Sequence, residues 1–241
     1  MTQEVCAAAE AAFDANYDEV IVADGHGNAH NIEPDLLPEN VRLIRSWPRP
    51  LVQMQGAEDP EVEACVFLGY HAGTDSPGIL SHSYSGAAFR SVRLNGEICS
   101  EGYLNAALAG ELGKSIIFVS GDQFTIDDAR RYAPDAVGFV SKQALGWRTQ
   151  MSLPPKQVAR QLKDAVSRAL SAPLPKRFLL NGPYCLELEM TTPVAAEMLT
   201  YLPNVERRSS HSISITLNNL TAVMRFVSFA MIYSPNGVLP L

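Results

Sequence analysis

Short apolar runs alternate with helix-forming segments along most of this chain, and that alternation restricts the fold more than any other feature. Val20-Ile21-Val22-Ala23, Cys65-Val66-Phe67-Leu68 and the stretch Ser115 to Ser120 are continuous, strand-length and apolar. A strand that is apolar on both faces is one covered on both faces, as in a parallel sheet. Val41 to Arg45 and Ala136 to Val140 read as further strands. Between them lie helix formers: Met1 to Ala15, Glu101 to Leu112 ending near Gly113, Ile126 to Tyr132, and the amphipathic segment Pro155 to Leu170. Parallel strands need crossover connections, and helical crossovers cover the sheet. The expected fold is therefore α/β, a mostly parallel sheet with helices on both faces.

Elsewhere strict alternation replaces continuous apolarity. Ala88 to Leu94 alternates and ends at Asn95-Gly96, a tight turn because both positions tolerate positive φ. Residues 28–40 form a loop punctuated by Pro34 and Pro38. The composition then shifts at Ser171-Ala172-Pro173-Leu174-Pro175-Lys176-Arg177. Beyond it come an alternating strand Tyr184 to Met190, a helix Pro193 to Tyr201, a strand Ser212 to Leu217 and a helix Leu220 to Tyr233. Two units are expected: residues 1–175 carrying the functional site, and a smaller α/β unit over 176–241.

Charge and cysteine usage exclude some partners. A net charge of -7 and a pI near 5.2 oppose binding to a phosphate backbone. Arg207-Arg208 and Lys176-Arg177 are short pairs on loops, not a basic stripe. No stretch approaches the ~20 apolar residues of a membrane helix, and Leu220 to Tyr233 is interrupted by Arg225. The amino terminus lacks a basic region followed by an apolar signal core. Cys6, Cys65, Cys99 and Cys185 are scattered without a CxxC pair, the pattern of reduced thiols. The expectation is a cytoplasmic protein with neither nucleic acid nor membrane as a partner.

Three of the five histidines sit in tight turns, Asp24-Gly25-His26-Gly27, Gly69-Tyr70-His71-Ala72 and Ser81-His82-Ser83. Taken singly, each is an ordinary polar turn residue. The first two, however, follow apolar strands, and functional groups of open α/β sheets gather at the carboxyl ends of strands. His26, His71 and Glu101 mix imidazole with carboxylate, a donor set suited to zinc in a hydrolytic site. Asp24 either supports His26 or caps its turn. His30 and His211 read as surface residues. A competing, nucleophilic chemistry would pair Ser81, Ser83 or Cys99 with a histidine, but Gly-x-Ser-x-Gly is absent. Cys99 reads equally as a core thiol. Neither a phosphate-cradling loop nor a dinucleotide fingerprint occurs.

The runs Asp24-Gly25-His26-Gly27, Leu68-Gly69-Tyr70-His71-Ala72 and Pro77-Gly78-Ile79-Leu80-Ser81-His82-Ser83 together resemble the zinc D-aminopeptidases of the dipeptide-transport operon type. Ser100-Glu101-Gly102-Tyr103-Leu104-Asn105-Ala106, Val119-Ser120-Gly121-Asp122 and Val140-Ser141-Lys142-Gln143 continue the likeness in order. It extends over nearly the whole chain. The resemblance implies a hydrolase that binds two zinc ions and removes amino-terminal residues from short D-amino-acid peptides. Position by position, His26, His71 and Glu101 match its metal ligands and His82 its catalytic histidine. Asn105, Asp122 and Lys142 match positions at the pocket wall. The resemblance further implies a homo-oligomeric ring, a decamer enclosing its active sites, with the smaller carboxy-terminal unit at the chamber entrance.

One part of the family pattern has no counterpart here. Family members begin with a strand carrying Ser-x-Asp-x-Glu-Gly, whose carboxylates complete the dizinc site. Met1-Thr2-Gln3-Glu4 corresponds to the helix after that strand, and no other Asp-x-Glu-Gly occurs. One or two zinc ions are therefore expected. The leading function is a zinc-dependent aminopeptidase or amidase; the alternative is a metal-deficient, non-catalytic relative that binds or assembles.

Overall fold

A computed structural model describes residues 1–233. The chain opens with helix α1 (Thr2–Asp14) and the parallel pair β1 (Val20–Ala23) and β2 (Val41–Ile44), in which Val20 lies opposite Val41. Strand β3 (Ala64–Phe67) follows, then the hairpin β4 (Phe89–Leu94) and β5 (Glu97–Ile98). Its turn uses Asn95 at φ 52° and Gly96 at φ 85°, the conformation expected of that dipeptide. Next come α2 (Glu101–Glu111), β6 (Ser115–Gly121), α3 (Gln123–Ala129) and β7 (Val137–Val140). A short hairpin, β8 (Lys142–Ala144) and β9 (Gln150–Ser152), leads into α4 (Pro155–Ser171). The described chain ends with β10 (Tyr184–Met190), α5 (Pro193–Leu199), β11 (Glu206–Arg207), β12 (Ser212–Leu217) and α6 (Leu220–Ile232).

The architecture is mixed α/β. β3, β6 and β7 form a parallel sheet with β6 in the middle, and all seven residues of β6 are buried. The apolar stripe of α4, at Val158, Leu162, Ala165, Val166 and Ala169, packs with Ala7, Ala8 and Ala11 of α1 over Ile117 and Phe118 of β6. That stripe recurs at helical spacing, which is why α4 was legible as amphipathic. Helix α2 lies against β6 and is buried from Glu101 to Gly110. A helix enclosed on all sides must be apolar or small all round, and Ala106, Ala107, Leu108 and Ala109 meet that demand.

The largest sheet is antiparallel, in the order β11-β12-β10-β4-β5. Leu186 pairs with Leu94 and Leu188 with Val92, so one face carries fully buried side chains while Glu187 and Glu189 take the other. Each such Leu or Val contributes roughly 1.5–3 kcal/mol by burial. Leu220, Val223, Met224 and Val227 of α6 join the same core as Leu104 and Leu108 of α2. The sheet thus runs across the boundary expected near residue 175, since β4 precedes it and β10 follows it. Residues 234–241, part of the smaller unit expected from the sequence, lie outside the described residues. Among the described residues, no helix is long and apolar enough to cross a membrane.

Candidate metal centre

His71 comes to its place through the parallel sheet. The ladder between β3 and β6 runs on past Phe67 through Tyr70, whose N–H donates to Ser120 O at 2.9 Å. The Tyr70 ring stacks on Phe67 at 4.4 Å. His71 follows, with Nδ1 3.1 Å from Ala72 O. A carbonyl can only accept, so Nδ1 carries the proton and the neutral ring presents a bare Nε2. That is the tautomer a metal ligand needs.

His82 is held by a pinned loop. Ile79 N–H donates to Asp122 Oδ2 at 2.6 Å, Leu80 N–H to Trp147 O at 2.9 Å, and Ser83 Oγ to Cys99 O at 2.7 Å. Leu80 and Tyr84 hold positive φ, 50° and 59°. His82 Nδ1 lies 2.6 Å from Leu80 O, so its neutral ring also presents Nε2. The two imidazoles stack, with centroids 4.2 Å apart.

Glu101 closes the cluster from the first turn of α2. Ser100 caps that helix, accepting from Tyr103 N–H at 3.1 Å. A carboxylate at a helix amino terminus is favoured by the partial positive charge there. Glu101 Oε1 lies 3.3 Å from His71 Nε2 and 3.6 Å from His82 Nε2, and accepts from Tyr84 N–H at 2.8 Å. Its Oε2 accepts from Gln53 Nε2 at 2.7 Å. Burial pushes the Glu101 carboxyl up, but His71, His82 and the Tyr84 N–H outweigh it and hold the group below the usual carboxylate range. Burial likewise opposes charge on His71, yet the Glu101 carboxylate and the Ala72 carbonyl raise its pKa.

Two imidazole nitrogens and a carboxylate oxygen thus lie within 4.8 Å of one another at His71, His82 and Glu101. This is a donor set that fits zinc. His26, expected from the sequence beside His71 and Glu101, stands next to this cluster and outside its tightest group. Partial burial lowers its pKa, and the His71 and His82 charges lower it further. Asp24 caps the His26 turn: Oδ2 accepts from Asn31 N–H at 2.5 Å and Ile32 N–H at 2.9 Å.

The three positions matched to the pocket wall divide by burial. Lys142 is half-buried on β8, near enough to His71 for its charge to lower that imidazole's pKa. Asn105 is fully buried and bridges two phenols, donating to Tyr70 OH and accepting from Tyr84 OH, both at 3.0 Å. Asp122 is 1% exposed; it caps α3 through Thr125 N–H at 2.8 Å and anchors the His82 loop through Ile79. Asn105 and Asp122 are thus buried and committed to hydrogen bonds with neighbouring elements. Two contributors were missed from the sequence, the Tyr84 N–H and Gln53. A backbone donor leaves no trace in composition, and a glutamine in an aperiodic loop carries no signal.

The paired shifts set a pH dependence for the metal-free protein. A raised His71 pKa adds stability below its unfolded value of 6.5, lost as pH rises through the folded value. A lowered Glu101 pKa adds stability above its unfolded value of 4.5, lost as pH falls through the folded value. The stability difference between the natural chain and His71→Gln is therefore expected to peak between these two values and to shrink above them. Urea titrations from pH 4 to 9 with chelator present would measure it, and a difference that grows above neutrality would contradict the charge pair.

Comparison with known proteins places this chain in a family. The sequence profile of the peptidase family described as D-aminopeptidase matches residues 1–229. The chain belongs to that family. A curated relative, D-aminopeptidase of Bacillus subtilis (strain 168), is 29% identical over 170 residues. That stretch is 70% of this chain and 61% of the relative, so the match spans about three fifths of the relative's length. A solved structure, the Zn-dependent D-aminopeptidase DppA from Bacillus subtilis, described as a self-compartmentalizing protease, superposes with a TM-score of 0.86 at 24% identity. The superposition covers 97% of this chain and 87% of that one, and it shows the same α/β fold.

Proposed function

We propose that this chain is a zinc-dependent aminopeptidase that hydrolyses the amino-terminal amide bond of short peptides, those with D-residues included. The observation that carries the reading is the Glu101 carboxylate, held between two imidazoles whose Nδ1 atoms are both tied to carbonyls. His71 and Glu101 would hold the metal, with His26 completing the set. When bound, zinc supplies Lewis-acid polarisation of the scissile carbonyl and makes water more acidic. His82 handles the proton: its Nδ1–H stays on Leu80 O while Nε2 accepts a proton and returns it to the departing amine. The Lys142 ammonium, beside His71, favours negative charge developing on the substrate oxygen.

A second arrangement is favoured by one distance. His82 Nε2 lies 3.6 Å from Glu101 Oε1, so His82 itself reaches the point a ligand would occupy.

The proposal extends to assembly. Leu145, Trp147, Met151 and Leu153 on and beside the β8–β9 hairpin are all exposed, an apolar patch of the kind that subunit contacts cover. A homo-oligomeric ring, decameric and cytoplasmic, fits this patch and the free thiols of Cys6, Cys65, Cys99 and Cys185. In that ring the part before residue 175 carries the site and the elements from β10 to α6 line the chamber entrance.

Zinc titration of the purified chain, followed by hydrolysis of D-alanyl dipeptides before and after chelation, tests the reading. Bound zinc and hydrolysis that chelator abolishes and zinc restores are expected. A folded chain that neither binds zinc nor cleaves these peptides overturns it in favour of a non-catalytic binding or assembly protein.

A further inference from the structure

The two oxygens of Glu101 are used differently. Oε1 faces His71 and His82, whereas Oε2 accepts from the Gln53 amide at 2.7 Å. Gln53 sits in the single-turn segment Val52–Met54, and its flanking residues Leu51, Val52 and Met54 are buried. Val52 holds φ 52°, a left-handed conformation that a β-branched residue rarely adopts. Such a conformation persists only where the surroundings impose it, and the next residue, Gln53, reaches Glu101 from this segment. The turn that carries His26 makes room for it. A Cβ on Gly25 would lie 2.5 Å from Gln53 Cγ.

The other end of the amide is uncommitted. Gln53 Oε1 is buried and has no hydrogen-bond partner. Rotating the amide would set that oxygen against the Glu101 carboxylate, acceptor against acceptor, so donation to Oε2 alone fixes its orientation. We infer that Gln53 is a positioning residue for the metal centre, retaining Oε2 so that Glu101 presents Oε1 beside His71. This rests on the zinc reading above. The terminal torsion of a glutamate is broad and two-fold, and a carboxylate already held by its neighbour has less freedom left to lose on binding a cation. Partners that hydrogen-bond to ligating groups typically govern 10–100-fold in metal affinity. A neutral donor does this without the competing positive charge of a lysine or the repulsion of a second carboxylate.

The test compares the full chain with Gln53→Met, which keeps the length without the donor, and Gln53→Asn, one methylene too short to reach. Zinc affinity would be measured by competition with a chromophoric chelator, and coordination by the visible absorption of the cobalt(II) form. Both variants should bind zinc about 10–100-fold more weakly and show a shifted cobalt spectrum, with metal-free melting temperatures unchanged. Natural affinity and an unaltered spectrum in both variants would overturn the inference alone. So would an affinity loss that merely tracks a lower metal-free melting temperature, which marks a packing role. Failure of the unaltered chain to bind zinc would overturn the zinc reading and this inference together.

Discussion

Glu101→Gln is expected to abolish zinc binding and peptide hydrolysis while leaving the fold intact. The substitution keeps the shape of the side chain and removes only its charge. Yet that charge is the group towards which His71 Nε2 and His82 Nε2 converge, at 3.3 Å and 3.6 Å. Even an altered partner of a ligand costs 10–100-fold, so loss of the ligand's own charge should weaken zinc by more than about a hundredfold. Turnover at fixed zinc should fall at least as far. A second readout separates charge from packing. With Glu101 neutral, burial still opposes charge on His71 while the largest opposing influence is gone, so the His71 pKa should drop in the metal-free variant. Nuclear magnetic resonance titration of the imidazole would show it. A variant that binds zinc as tightly as the natural chain would place the metal elsewhere.

How far the site could be read from sequence depended on how local its physics is. The centre of β6 was legible because a strand buried on both faces must be apolar throughout, whereas Val20–Ala23, equally apolar, forms a strand that is only half-buried. The alternation of Tyr184 to Met190 was equally plain, but its partner was not. β10 pairs with β4, some ninety positions earlier, and no short-range pattern in either strand names the other. Helix α3 starts at Gln123, three residues before the expected Ile126, because the Asp122 side chain caps it there. The β8–β9 hairpin went unread. Lys142, Gln143, Gln150 and Ser152 give it no alternating face, and it is held instead by the Gln123 amide at Ala144. In the site itself, His71 and Glu101 were legible because each follows or opens a recognisable element. Sequence order grouped His26 with them, whereas folding of the residue 78–83 loop brings His82 into the tightest group.

The roles of the two stacked histidines should separate in a pair of substitutions. His71→Ala is expected to release zinc, and His82→Ala to retain it while lowering turnover by about 10²–10⁴-fold, the usual worth of a general acid–base group. Position supports this division. His71 lies four residues past the end of β3, next to Tyr70, whose N–H is tied to Ser120 O, and its side chain is 15% exposed against 26% for His82. A ligand profits from the more enclosed position, whereas a proton carrier must meet the substrate, and His82 has the more open ring. The opposing consideration is that His82 Nε2 already approaches Glu101 closely enough to share a cation. Zinc content measured on both purified variants decides between the two. Equal loss in His71→Ala and His82→Ala would assign His82 to the metal, and proton transfer would then pass to another group, with His26, whose lowered pKa favours a neutral imidazole, the nearest candidate.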